Sequence, residues 1–148
     1  MADGVFNIAK GRAAAYGDNV GTGNAALILV PLEATGLVAD TVMEDYDTLA
    51  AVLAGASVEQ TTLGRKTITA CTVTTDDTGD QVTVDFADQT YTAGTGNACG
   101  KMLVCYDSDT TTGTDANIIP LTFHDWTVTP DGNDIVVQVA TGGFYAAS

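Results

Sequence analysis

The chain has 148 residues and carries five Lys and Arg against nineteen Asp and Glu, a formal charge of −14. That length fits one domain burying about two-thirds of the surface of its unfolded chain, and 45% apolar against 16% charged residues excludes a disordered acidic tail. The charge excludes a nucleic-acid binder or a binder of anionic membranes, because phosphate contacts need Lys and Arg.

Thr occurs 24 times, and sixteen of the nineteen acids are Asp, the carboxylate of turns and caps. Glu and Lys, which favour helix surfaces, occur three times each. The expected fold is mainly β: a single compact β-sandwich-like domain over 24–148 with one short helix, preceded by an N-terminal arm over 1–23. In the arm, Ala9-Lys-Gly-Arg-Ala-Ala-Ala-Tyr16 has weak apolar periodicity and is followed by Gly17, Gly21 and Gly23. It is expected as an extended arm or a short helix, frayed or ordered only against a neighbour.

Ala25 to Leu32 reads as a fully buried strand. Its length, with Pro31 inside it, falls short of the roughly 18 residues of a membrane span, so none is expected. The opening Met-Ala-Asp-Gly carries no signal-peptide pattern. Asp47 to Leu53 is the helix, capped by Asp47 or Thr48, stopped at Gly55, with Leu49, Val52 and Leu53 on one face. Leu63 to Thr74 reads as a strand, Thr75 to Asp80 as a turn, and Val82, Val84 and Phe86 as the apolar side of the next strand. Lys101 to Tyr106 is a compact apolar strand, followed by a polar loop from Asp107 to Asn117. Ile118 to Thr129 is a long strand whose alternation shifts near His124 and Asp125, which a β-bulge would reconcile. Pro130 to Asp134 is a turn that returns Ile135 to Ala140 as the partner of that strand. Phe144 is expected to plug the core or an interface. Gly-Thr-Gly-Asn-Ala occurs at 21–25 and again at 94–98, each time before an apolar run, and marks two similar entries into strands.

Chemistry-bearing motifs are few. Gly21 to Ala26 matches the G-x-G-x-x-A dinucleotide fingerprint, but a strand follows it and none clearly precedes it. Asp77-Thr-Gly79 matches the aspartic-protease triplet but sits in a solvated turn. His124 is the one histidine and has no identifiable nucleophile or co-ligand; a hydrogen-bonded His124–Asp125 pair at a bulge is the expectation. Asp107, Asp109 and Asp115 faintly resemble a calcium loop, with Thr111, Thr112 and Ile118 where an EF-hand needs ligand, Gly and Glu. Cys71, Cys99 and Cys105 have no zinc-ligand spacing and read as small buried side chains, their odd number pointing to a reducing compartment during folding. The chain is therefore read as a non-enzyme without cofactor or metal. A carbohydrate- or host-binding module would need exposed aromatics, and Trp126 or Tyr106 beside the 107–115 loop are the candidates, though Trp126 is expected in the core.

Val5-Phe-Asn-Ile-Ala-Lys-Gly-Arg12, Glu44 to Gly55, Lys101 to Asp107 and Ile119 to Trp126 together resemble a group of short tailed-bacteriophage virion proteins. Gly64-Arg-Lys66, Asp88 to Thr92 and Gly143-Phe-Tyr145 fit the same pattern, which covers most of the chain in order. The Thr75 to Gly79 turn and the cysteines match nothing shared. The resemblance implies a capsid decoration, or cement, protein on the outer head surface, with the major capsid protein as partner and a homo-oligomer, such as a trimer at local threefold positions. A head–tail, tail or fibre-anchor component is the alternative. The charge agrees with an outer position, since −14 next to packaged DNA would be repelled. Val5, Phe6, Ile8, Lys10, Arg12 and Tyr16 are the expected partner contacts, being the basic and apolar elements least explained by the β pattern. On that reading, removing residues 2–16 leaves a folded body that no longer binds.

Overall fold

The computed structural model describes residues 3–148; Met1 and Ala2, the first two positions of the expected arm, lie outside them. Strands make up 36% of the chain and helices 14%, so the domain is mainly β and sandwich-like. In chain order the elements are β1 (Gly4–Val5), a 3-10 turn (Asn7–Ala9), α1 (Ala13–Asn19), β2 (Ala26–Glu33), α2 (Asp40–Met43) and α3 (Leu49–Ala54). Then come β3 (Lys66–Ile68), β4 (Thr72–Asp76), β5 (Gln81–Asp85), β6 (Gln89–Tyr91), β7 (Cys99–Asp107), β8 (Ile119–Val128), β9 (Ile135–Val137) and β10 (Tyr145–Ala147).

The long apolar runs form the centre. β2 and β7 pair antiparallel along nearly their whole length inside a five-stranded sheet ordered β1-β8-β7-β2-β3. Residues opposite one another in such a ladder share a face. One face therefore carries Leu29, Val104 and Thr122, with Met102 and His124 beside them. The other carries Leu103 and Phe123, then Lys101 and Asp125. The first face meets two smaller sheets, β10-β5-β4 and β6-β9, across a cleft of about 450 Å³ lined by Leu29, Met102, Val104, Phe86 and Phe144. The second meets Phe6 and α2.

α3 forms where the pattern places it: the Thr48 hydroxyl accepts the Ala51 amide, and Leu49 and Val52 are buried. Within the segment expected as an extended arm or a short helix, α1 forms, and of the helices only α2 lies outside the expected elements. The expected strand from Leu63 to Thr74 divides at Thr69–Cys71, and its halves join different sheets. β8 holds two irregularities against β7, one between Asp125 and Val128, where the shift in alternation near His124 and Asp125 calls for a bulge, and a second beside Leu121. The expected pairing of Ile135–Ala140 with β8 is also corrected. β1 occupies the outer edge of β8 at Thr122 and Phe123, and β9 pairs with β6 instead. The 130–134 turn is held there by Gly132 N–H to Gly94 O at 2.8 Å, Gly94 N–H to Asn133 O at 2.9 Å and Ala93 N–H to Asp134 Oδ1 at 2.9 Å.

The two Gly-Thr-Gly-Asn-Ala loops enter the two central strands from opposite ends. Asn24 Nδ2 reaches Asp109 Oδ1 beyond the end of β7, and Asn97 Nδ2 reaches Glu33 Oε1 at the end of β2. Each loop thus clasps the exit of the other strand.

Candidate contact surface at the N-terminal segment

The segment expected as an arm, extended or with a short helix, packs on the body over its described residues. Gly4 pairs with Phe123, whose ring fills the space a side chain at position 4 would need. The Phe6 amide donates to Leu121 O at 3.0 Å, and its ring meets Phe123 edge-on at 5.4 Å with no exposed surface. Asn7 donates from its backbone to Glu44 O and from Nδ2 to Asp45 Oδ1. α1 lies on the β4–β5 hairpin because Gly17 is bare: a Cβ there would stand 2.8 Å from Val73 and 2.9 Å from Val84. Tyr16 stacks on Tyr106 at 4.8 Å.

These facts sort the six expected contact residues. Phe6 is withdrawn, because its ring is core and reaches a partner only by leaving it. Val5, Ile8 and Tyr16 are half-buried and pack against the core, each with part of its surface facing out. Lys10 and Arg12 are exposed. Lys10 Nζ donates to Asn7 Oδ1 at 2.7 Å and sits 3.7 Å from Glu44, with its side chain 56% exposed. The expectation that removing residues 2–16 spares the fold fails for the same reason as Phe6: it strips β1 and a buried aromatic from the five-stranded sheet.

The remaining bases each have partners within the domain. Arg65 Nε and Nη2 donate to Glu59 at 2.7 Å each, while Nη1 and Nη2 donate to Asp115 at 2.6 and 3.1 Å. These bonds raise the Arg65 pKa above its ordinary value despite partial burial, and lower that of Asp115. Lys66 Nζ lies 4.8 Å from the Tyr91 ring centre. Lys101 is fully buried and meets Asp125 and Asp40.

The other candidates resolve as structure. The expected His124–Asp125 pair is replaced by Asp3, which sequence reasoning missed. Asp3 Oδ2 lies 3.1 Å from His124 Nδ1, and Oδ1 accepts the Asp125 amide at 2.8 Å. Burial pushes the Asp3 carboxyl up, but the Asp125 amide and His124 outweigh it and the net shift is down. Asp109 in the 107–117 loop accepts from Thr111 and Thr112, which hold its carboxyl down at about 2. Its oxygens face their own loop and Asn24. Tyr106 is buried against Tyr16, while Trp126, expected in the core, is half-buried at the cleft 6.1 Å from Tyr91. Cys99 and Cys105 are buried as expected; Cys71 is half-buried, its thiol on Gly17 O. Among the described residues no helix is long and apolar enough to cross a membrane.

The signals for the missed residues were present. A lysine inside an otherwise apolar run from Cys99 to Tyr106 calls for a buried counter-charge, and Gly64-Arg-Lys66 beside acidic loops calls for a surface one. No family model matches the chain, and no curated protein or solved structure matches it either.

Proposed function

We propose that this chain is a non-enzymatic structural protein of a bacteriophage particle, binding the outer surface of the capsid through its N-terminal flank and stabilising the head shell. One observation carries the reading beyond the sequence resemblance. Of five basic side chains, Arg65 and Lys101 are each held between two carboxylates and Lys66 lies over the Tyr91 ring, while Lys10, 56% exposed beside Glu44, and Arg12 lie two residues apart on the surface. They are flanked by the half-buried Val5, Ile8 and Tyr16 on a molecule of charge −14. A small basic spot on an acidic surface selects an acidic partner and the orientation of docking. The acidic remainder keeps the particle exterior soluble. Weak contacts repeated over a lattice give firm attachment.

Copy number tests the proposal. The chain is quantified against the major capsid protein in purified particles by mass spectrometry. A ratio near one, or a simple fraction of it, is expected. A handful of copies per particle would favour the head–tail, tail or fibre-anchor reading, and absence from the particle would overturn both.

A further inference from the structure

Lys101 has no exposed surface, yet its Nζ stands 2.7 Å from Asp125 Oδ1 and 3.0 Å from Asp40 Oδ1. Asp125 lies directly across the β7·β8 ladder, so strand spacing holds amine and carboxyl against each other. Asp40 comes from a separate element, the first residue of α2. The Phe123 ring forms the floor, its centre 4.9 Å from Nζ, and Phe6 packs edge-on against it. A buried amine thus has one carboxyl fixed opposite it and a second within reach to carry a proton, with an aromatic ring closing one side.

We propose that Lys101 and Asp125 join in an intramolecular amide bond, with Asp40 as the proton carrier. The step balances without oxidant or cofactor. One proton moves from Nζ to the Asp125 carboxylate along the existing contact, giving a neutral amine and a neutral acid. The amine has no exposed surface, and its burial favours the neutral form of Nζ over the charged one. The Nζ lone pair attacks Asp125 Cγ and the N–C bond forms. Asp40 takes a second proton from Nζ and delivers it to the hydroxyl of Asp125. The C–O bond breaks, one water departs, and Asp40 ends as it began. The half-exposed rims of the two carboxylates, 26% and 33%, give that water an exit. Fixed neighbours of this kind reach effective concentrations of roughly 10⁵ M or more when well aligned.

Tryptic digestion of the purified full-length chain reads the bond directly. No Lys or Arg follows Lys101, and the basic residues before it are Arg65 and Lys66. An unlinked chain gives separate peptides 67–101 and 102–148. An acylated Lys101 resists cleavage, so the expected product is a single peptide 67–148, lighter than its sequence mass by one water. The intact protein is lighter by the same amount. The Asp40→Ala variant is expected to give the two unlinked peptides. Peptides 67–101 and 102–148 at full mass in the wild-type digest would overturn the proposal. A link from 67–148 to 13–65 would place the bond on Asp40 and overturn the assignment to Asp125. Complete loss of water in Asp40→Ala would overturn the role of Asp40. The wild-type digest decides the bond even where a variant fails to fold.

Discussion

Arg65 and Lys101 each stand between two partly exposed carboxylates, but the Arg65 guanidinium is itself 29% exposed whereas the Lys101 amine has no exposed surface. Arg65 joins Glu59 and Asp115, tying the segment before β3 to the long loop after β7, and its side chain is 29% exposed. Water competes for each of those groups, so the gain is modest however good the geometry. Lys101 has no water to fall back on. Until the amide with Asp125 forms, its charge depends on those two carboxylates, because an uncompensated buried charge costs far more than a pair contributes. The same arrangement of one base and two acids is thus a loop clasp at the surface and a core element in the interior, and depth decides which.

Ways to break this contrast run from the interior outward. Lys101→Ala removes the buried side chain beside Phe123 together with its link to Asp125 and is expected to cost about 3–5 kcal/mol, read from the denaturation midpoint. Phe6→Ala removes the ring behind Phe123 and is expected to cost about 3 kcal/mol or more; a loss of a few tenths would mean that the N-terminal segment is not part of the core. Arg65→Ala is expected to cost about 1 kcal/mol or less, with faster hydrogen exchange in 110–117 and little elsewhere. Acid sharpens the same point. The Asp115 carboxyl is held below its ordinary 3.8 by Arg65, so its contribution is present above that value and lost as pH falls through the lower folded value. Stability should therefore fall with acid below about pH 4, and Arg65→Ala should flatten that part of the profile; an unchanged slope would remove Asp115 from it.

Much of the local structure was legible. β2, β7 and α3 are long or strongly patterned runs whose burial follows from composition, and the Thr48 cap follows from its place before Leu49. Long-range choices were not. Nothing in Ile135–Val137 says that its partner is Gln89–Tyr91 rather than the preceding strand, because the competitor for that edge, Gly4–Val5, is more than a hundred residues away. Phe6 looked available because Val5-Phe-Asn-Ile has no clean period, and only Phe123 across the sheet claims it. The six expected contacts divided along the same line: apolar side chains near a sheet were drawn toward it, and the charged ones stayed out.

That division leaves the functional claim on Lys10 and Arg12. Neither supports the core, so the double substitution Lys10→Glu with Arg12→Glu should change stability by no more than about 0.5 kcal/mol. The most direct measurement adds purified wild-type chain or this variant to capsids lacking the protein and counts bound copies by mass spectrometry. The account predicts near-saturating occupancy for the wild type and loss of most of it for the folded variant. Equal occupancy of both would contradict it.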